Sequence, residues 1–302
     1  MILPFALSAV AIAAVAGAPS DAAQRNSPDM VLEAQILLDH HHHSTGVIDG
    51  RQGSNTQRAV GAFEKAEGLP VDGILDAEVM RRLRASSNEP LLVDYTVAEE
   101  DISKLVDVPD GMEAQASLDH LGFETAAEAL AEKFHMSQAF LEQLNPDATF
   151  AAGEAIKVVR AGRNELGKKV ARIQVDKGRS EVRAFDQTGK LLASYPGTIG
   201  SDRFPSPEGS MEVRAVAPAP TYYFDPSGRD WGPDKRLIIA AGPNNPVGGT
   251  WIDLTKEGYG IHGSPDPRLI GKTASHGCVR LTNWDAAELG AAVAPGTSVT
   301  FT

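Results

Sequence analysis

Apolar residues recur at helical spacing in the first part of the chain. Val31, Leu32 and Leu38 share a face with Gln35, and Val60, Phe63 and Ala66 repeat three apart, so residues 30–84 are expected to form two or three short helices packed as one unit. Two stretches, Val47-Ile48-Asp49-Gly50 and Val71-Asp72-Gly73-Ile74, bring apolar residues into Asp-Gly turns, where glycine tolerates a positive φ. Asn88-Glu89-Pro90 breaks the pattern as a linker. A second unit then reads β-α-α-β: a short strand at Tyr95-Thr96-Val97, helices over 126–134 and 138–144, and a closing strand over 155–159. From Lys169 the texture becomes alternating. Strands are predicted over 170–175, over 181–185 after the Lys177-Gly178 turn, and over 191–199. Dense punctuation, as in Pro205-Ser206-Pro207-Glu208-Gly209 and Ala241-Gly242-Pro243-Asn244-Asn245-Pro246, argues for a mostly β domain. A last helix is expected over 286–292, with Trp284 and Asp285 packing against it and capping it. Tyr222, Tyr223, Phe224 and Trp231 read as core or loop anchors.

The length of 302 residues agrees with several units, at roughly 100 to 150 residues per domain. Hydrophobic residues at 42% and charged residues at 23% describe a chain that can bury a core. The formal charge of -12 and pI near 5.1 oppose nucleic-acid binding, which needs clustered Lys and Arg against phosphates. Residues 1–18 are almost wholly apolar and end in an Ala16-x-Ala18 pattern, so an export signal is expected, cut after Ala18 or Ala23, although no Lys or Arg precedes the apolar run. An uncleaved anchor or a buried helix are the other readings of that segment. His40 to His43 are read as a solvated loop, because adjacent side chains diverge and build a tetrahedral metal site poorly. The resulting division is 1–23 signal, 27–86 helical unit, 91–160 βααβ unit and 168–302 β domain.

One cysteine, Cys278, decides the chemistry. A lone thiol in an exported protein is either buried and inert or kept for reactivity. It lies in Ser275-His276-Gly277-Cys278-Val279-Arg280, downstream of Tyr259-Gly260-Ile261-His262-Gly263-Ser264. A free thiol is only a few per cent thiolate at neutral pH, so a nucleophilic cysteine needs an imidazole to take its proton. His276 shares a face with Cys278 if the segment is extended; His262 reaches it only if two strands, or a strand and a turn, fold together.

These motifs resemble known families. The segment around Cys278, and the likeness over 170–302, are similar to the L,D-transpeptidase (YkuD-type) catalytic domain, whose histidine is followed after a variable gap by Ser/Thr-His-Gly-Cys, an apolar residue and Arg or Asn. The resemblance implies Cys278 as nucleophile, His262 as general base oriented by the Gly263 carbonyl, and His276 shaping the pocket. It further implies the Gly277 and Cys278 amides as oxyanion donors and Arg280 as the holder of a stem-peptide carboxylate. Ser264 and Ser275 are candidate hydrogen-bond donors to substrate or turn residues. Oxyanion donors matter because losing one costs about 2.7 to 4 kcal/mol. The first unit resembles a three-helix peptidoglycan-binding domain through Asp49-Gly50, Gly53, Thr56, Ala59-Val60, Phe63, Gly68-Leu69-Pro70 and Val71-Asp72-Gly73. The second resembles a LysM module through Tyr95-Thr96-Val97, Ala126 to Ala131, Leu141 to Asn145 and Gly153 to Ile156, but Ala98 to Gly122 stand where that family has a short turn, which leaves a spacer role equally open. The implied function is acyl transfer between peptidoglycan stem peptides without metal or cofactor, outside the cytoplasm in the periplasm or wall, with glycan as a binding partner and carbapenems as covalent inhibitors. The alternatives are an L,D-carboxypeptidase or hydrolase, or an inactive binding protein.

Overall fold

The structure, a computed structural model, describes residues 27–85, 88–227 and 231–302. The expected export segment lies outside the described residues. Three helices open the fold: α1 (Pro28–His40), α2 (Ser54–Glu67) and α3 (Ala77–Arg84). Ser27 and Asp76 cap α1 and α3 by accepting from the Met30 and Val79 amides. Leu37, Leu38, Val60, Phe63, Val79 and Leu83 close a common core. The repeated turns prove to be built alike. Gln35 of α1 accepts from the amides of Asp49 and Gly50 at 3.0 and 2.8 Å, and Glu64 of α2 accepts from those of Asp72 and Gly73 at 3.0 and 2.9 Å. Both glycines sit near φ +70°.

The second unit pairs β1 (Leu92–Thr96) antiparallel with β2 (Ala155–Val159). Between them run two one-turn helices, α4 (Glu99–Ile102) and α5 (Met112–Gln115), then α6 (Ala126–Lys133) and α7 (Gln138–Leu144). Leu130, Phe140, Leu141, Ile156 and Val158 form its core, and Ile36 and Ile48 of the first unit enter it. The segment Ala98 to Gly122 is more than a spacer: Leu121 is fully buried in a cluster with residues of a hairpin in the last domain, β8 (Tyr222–Phe224) and β9 (Leu237–Ile239).

The last domain is a nine-stranded sheet. Its strands in chain order are β3 (Arg172–Asp176), β4 (Glu181–Phe185), β5 (Leu191–Pro196), β6 (Thr198–Ile199), β7 (Gly209–Pro218), β10 (Thr250–Leu254), β11 (Gly260–His262), β12 (Val279–Arg280) and β13 (Ser298–Phe301). Across the sheet they lie β5-β4-β3-β13-β7-β10-β11-β12-β6. The stretch expected as one strand over 191–199 is therefore two strands at opposite ends of the sheet. Only Gly197 separates them, so the sheet must curl until its two edges nearly meet. Helix α8 (Asn283–Ala292) packs Ala286 and Leu289 into the core of this sheet. It begins earlier than expected because Thr282, not Asp285, is the cap and accepts from the Asp285 amide. Trp284 is buried inside the helix and stacks on His135 at 5.0 Å.

The four histidines depart most from expectation. They lie at the junction of the three units rather than in a solvated loop. His40 Nε2 donates to the Arg160 carbonyl at 2.7 Å, and the His41 ring meets Phe63 edge-on. His42 Nδ1 lies 2.6 Å from Glu288 of α8, and the buried His43 lies 3.0 Å from the Ser194 hydroxyl of β5. A strand-like exchange between the His42 carbonyl, the Ser44 amide and the backbone of Ser194 fixes the seam. Periodicity could not show this, because three of the four rings find their partners in segments remote in sequence: His40 at Arg160, His42 at Glu288 and His43 at Ser194.

Candidate active site

Strands β11 and β12 run parallel, with Ile261 against Val279 and His262 against Arg280. Side chains alternate along a strand, so His262 and Arg280 share one face while the fully buried Ile261 and Val279 fill the core from the other. Cys278 stands two residues before Arg280. It lies in the bend just before β12, so carrying the alternation of that strand back by one step directs it toward the face of His262. The β11–β12 pairing brings the strand of His262 beside the segment that follows Cys278, as the two-strand reading requires.

His262 is 4% exposed. Its Nδ1 lies 2.7 Å from the Gly263 carbonyl oxygen, which can only accept, so the neutral ring is protonated at Nδ1 and presents Nε2 as an acceptor. Trp251, its partner on β10, stacks on it at 5.4 Å. Burial pushes the imidazole pKa down to about 4; the Gly263 carbonyl opposes this and the Arg280 charge adds to it. The ring is therefore uncharged at neutral pH. Cys278 is a half-buried thiol in no disulfide, and its Sγ lies 3.6 Å from the Gly258 carbonyl oxygen.

The loop before the thiol is held in a strained form. Gly277 adopts φ +114°, and a Cβ there would stand 3.0 Å from the Tyr259 ring. Its carbonyl accepts from the Ser206 hydroxyl at 2.7 Å. Its amide donates to Ser275 Oγ at 3.2 Å, and that hydroxyl in turn donates to the Cys278 carbonyl at 2.5 Å. The Gly277 amide, expected to face an oxyanion, is directed at Ser275 here, and Ser275 takes the turn-building role that was one of its two readings. His276 is turned away from the extended arrangement: its exposed ring lies between Phe204 and Trp231, with centroids 4.6 and 4.3 Å away.

Arg280 is half-buried and makes no ion pair among the described residues. With the buried Ser264 it lines a cavity of about 670 Å³ whose opposite side belongs to the second unit. Sequence reasoning missed Trp251, Phe204 and that opposite wall, and gave Tyr259 no role of its own. Trp251 carried a weak signal in the alternation of Thr-Trp-Ile-Asp-Leu, whereas the wall had none, since it comes from residues remote in sequence. Among the described residues no group of three or more His, Cys, Asp or Glu is placed to hold a metal ion.

Residues 170–300 match the L,D-transpeptidase catalytic domain of the YkuD family, and residues 27–83 match a peptidoglycan binding domain. Among curated relatives, the YkuD protein of Bacillus licheniformis, named for L,D-transpeptidase activity, is 29% identical over 58% of this chain and 92% of its own length. Its Bacillus subtilis namesake is also 29% identical, over 57% and 91%. Among solved structures, L,D-transpeptidase 3 from Mycobacterium tuberculosis, in complex with a faropenem-derived adduct, is 16% identical over 50% of this chain and 74% of its own, at a TM-score of 0.37. The β domain around Cys278 is thus similar to L,D-transpeptidase catalytic domains, and the helical unit before it to a peptidoglycan binding domain.

Proposed function

We propose that this protein cross-links peptidoglycan by acyl transfer through a thioester on Cys278. The observation that supports the reading is the β11–β12 register, which pairs a neutral, carbonyl-anchored His262 with Arg280, a residue two positions after Cys278 that makes no ion pair among the described residues. The Cys278 thiol gives its proton to His262 Nε2, and the sulfur attacks the carbonyl at the L-centre of the diamino acid in a tetrapeptide stem. The tetrahedral oxyanion collapses, the carbon–nitrogen bond breaks, and D-alanine leaves with the proton from His262. An amine of a second stem then attacks the thioester, gives its proton to His262, and regenerates the thiol. The Cys278 amide is the proposed oxyanion donor. His276, between Phe204 and Trp231, shapes the pocket rim, and Arg280 holds a stem carboxylate in its planar fork. Carbapenems acylate the same sulfur.

The first unit anchors the enzyme on glycan or stem, and the second is a LysM-type framework whose extra segment is devoted to the catalytic domain. The place of action is the periplasm or wall, where the substrate lies, reached through the apolar segment 1–23. Incubation with disaccharide-tetrapeptide, followed by intact-mass analysis of the protein and weighing of products, tests the reading. Expected are a thioester on Cys278, released D-alanine and cross-linked dimers. Tripeptide without dimers assigns water as acceptor, and absence of any adduct overturns acyl transfer.

A further inference from the structure

The cavity beside Arg280 has two walls of different origin. The catalytic domain supplies Arg280, Ser264 and the loop 265–269, in which Arg268 is neutralised by Asp266 at 2.8 Å. The second unit supplies Glu124, Thr125, Glu128 and Glu132 from the start and face of α6, with Gln138 at the head of α7. Burial pushes the Glu132 carboxyl up to about 8, so it is neutral at pH 7, and it accepts from the Asn283 amide group at 3.0 Å. Glu124 and Glu128 have no cation partner among the described residues. Glu128 is also held in place: Oε1 accepts from Asn244 of the catalytic domain at 2.9 Å and Oε2 from the Glu124 amide at 2.6 Å. A carboxylate has about four acceptor sites, so two remain open on a fixed group.

The cleft therefore presents an unneutralised guanidinium on one wall and a pinned carboxylate on the other. A ligand that carries a carboxylate and an ammonium on one short chain complements both. We propose that this cleft seats the diamino acid of the acyl-donor stem, with its distal ammonium on Glu128, making Glu128 of the second unit a specificity-determining residue. The inference rests on the acyl-transfer reading above and adds that the second unit takes part in choosing the substrate. It also accounts for a second unit fixed against the catalytic domain, since a wall on a loose tether could not discriminate.

Formation of the thioester makes no chemical use of the distal amine, so any preference in that step reports recognition. The test compares the rate of Cys278 acylation, read by intact mass in single-turnover mixing, for the tetrapeptide with a free distal amine and for the same peptide N-acetylated there. A charge-assisted contact of ordinary strength gives the full-length protein a preference of roughly 10-fold or more for the free amine. Glu128→Gln should lose that preference by slowing the free-amine peptide alone. Equal rates on the two peptides in the unaltered protein overturn the proposal whatever the variant does, and a variant that slows both peptides alike shows a structural role only. If neither peptide acylates the thiol, acyl transfer itself falls, and this inference with it.

Discussion

At the scale of single residues the chemistry depends on a few atoms whose surroundings can be altered one at a time. Cys278 is half-buried and lies outside the apolar core, so Cys278→Ala should change stability by no more than about 1 kcal/mol. It should abolish every covalent adduct with muropeptide or carbapenem in an intact-mass measurement. His262 makes the acid side of the pH profile legible. Because its folded pKa is about 4, the ring stays neutral and able to take a proton well below the usual imidazole range. The acid limb of kcat/KM should therefore fall near pH 4 rather than near 6.5; a limb near 6.5 would mean that another group serves as base. Gly277 tests the loop. At φ +114°, with Tyr259 beside it, Gly277→Ala strains the backbone by about 1 to 3 kcal/mol at the amides nearest the sulfur. Acylation should slow by at least about tenfold, and stability should fall by no more than that same roughly 1 to 3 kcal/mol of strain.

Between single residues and the molecule stand the elements, and here the reach of the sequence can be argued case by case. The β4 strand, α6, α7 and β2 were readable because each carries its own apolar period and its own punctuation, such as Ser137 capping α7 by accepting from the Phe140 amide. The break at Gly197 was signalled by Pro196-Gly197 and passed over, whereas the placing of the two strands at opposite edges follows only from the closing of the sheet. His262, Cys278 and Arg280 were found through their chemistry and motif, whereas the Ser275 hydrogen bonds that redirect the Gly277 amide belong to a local geometry no spacing announces. The segment Ala98 to Gly122 has weak periodicity for the same kind of reason: its apolar residues serve another unit's surface. Leu121 donates its amide to the Ala241 carbonyl, accepts from the Asn244 amide, and packs on Phe224, Leu237 and Ile239. Trp231, in that cluster, reaches the His276 ring. The segment is thus a strut from the second unit to the hairpin beside the active site. Leu121→Ala should cost about 2 to 5 kcal/mol of local packing. Hydrogen exchange should then accelerate in β8 and β9 while β3 and β4 keep their protection; unchanged exchange in the hairpin would deny the strut.

For the whole molecule, the seam between the three units is built from titrating groups, so stability should report it. Burial pushes Asp285 up to about 8 in the company of His135, Glu288 and the Ser44 hydroxyl, and Glu132 up to about 8. Burial likewise holds His43 down to about 3 and His262 to about 4. Burial alone would lower His42, but the hydrogen bond and charge of Glu288 more than offset it and its pKa rises; His135 rises in the same way beside Asp39. The signs then separate by pH. From about 4.5 to 6.5 the unfolded chain gains protons on two histidines that the folded chain leaves neutral, and loses them from two carboxyls that the folded chain keeps protonated. These contributions cancel and stability is flat. Above 6.5 the histidine contribution is complete, while Asp285 and Glu132 still favour the folded form less with every rise in pH, by at most about 1.4 kcal/mol per pH unit each. His42 and His135, with raised pKa values, lose stability in the same direction as pH climbs through them. The melting temperature should therefore hold steady between pH 5 and 6.5 and fall between 6.5 and 8.5. Asp285→Asn, which fixes the neutral form, should shallow that fall. A melting temperature that rises with pH across this interval would show that Asp285 and Glu132 are ionised in the folded protein, and that the seam is held by charge rather than by shared protons.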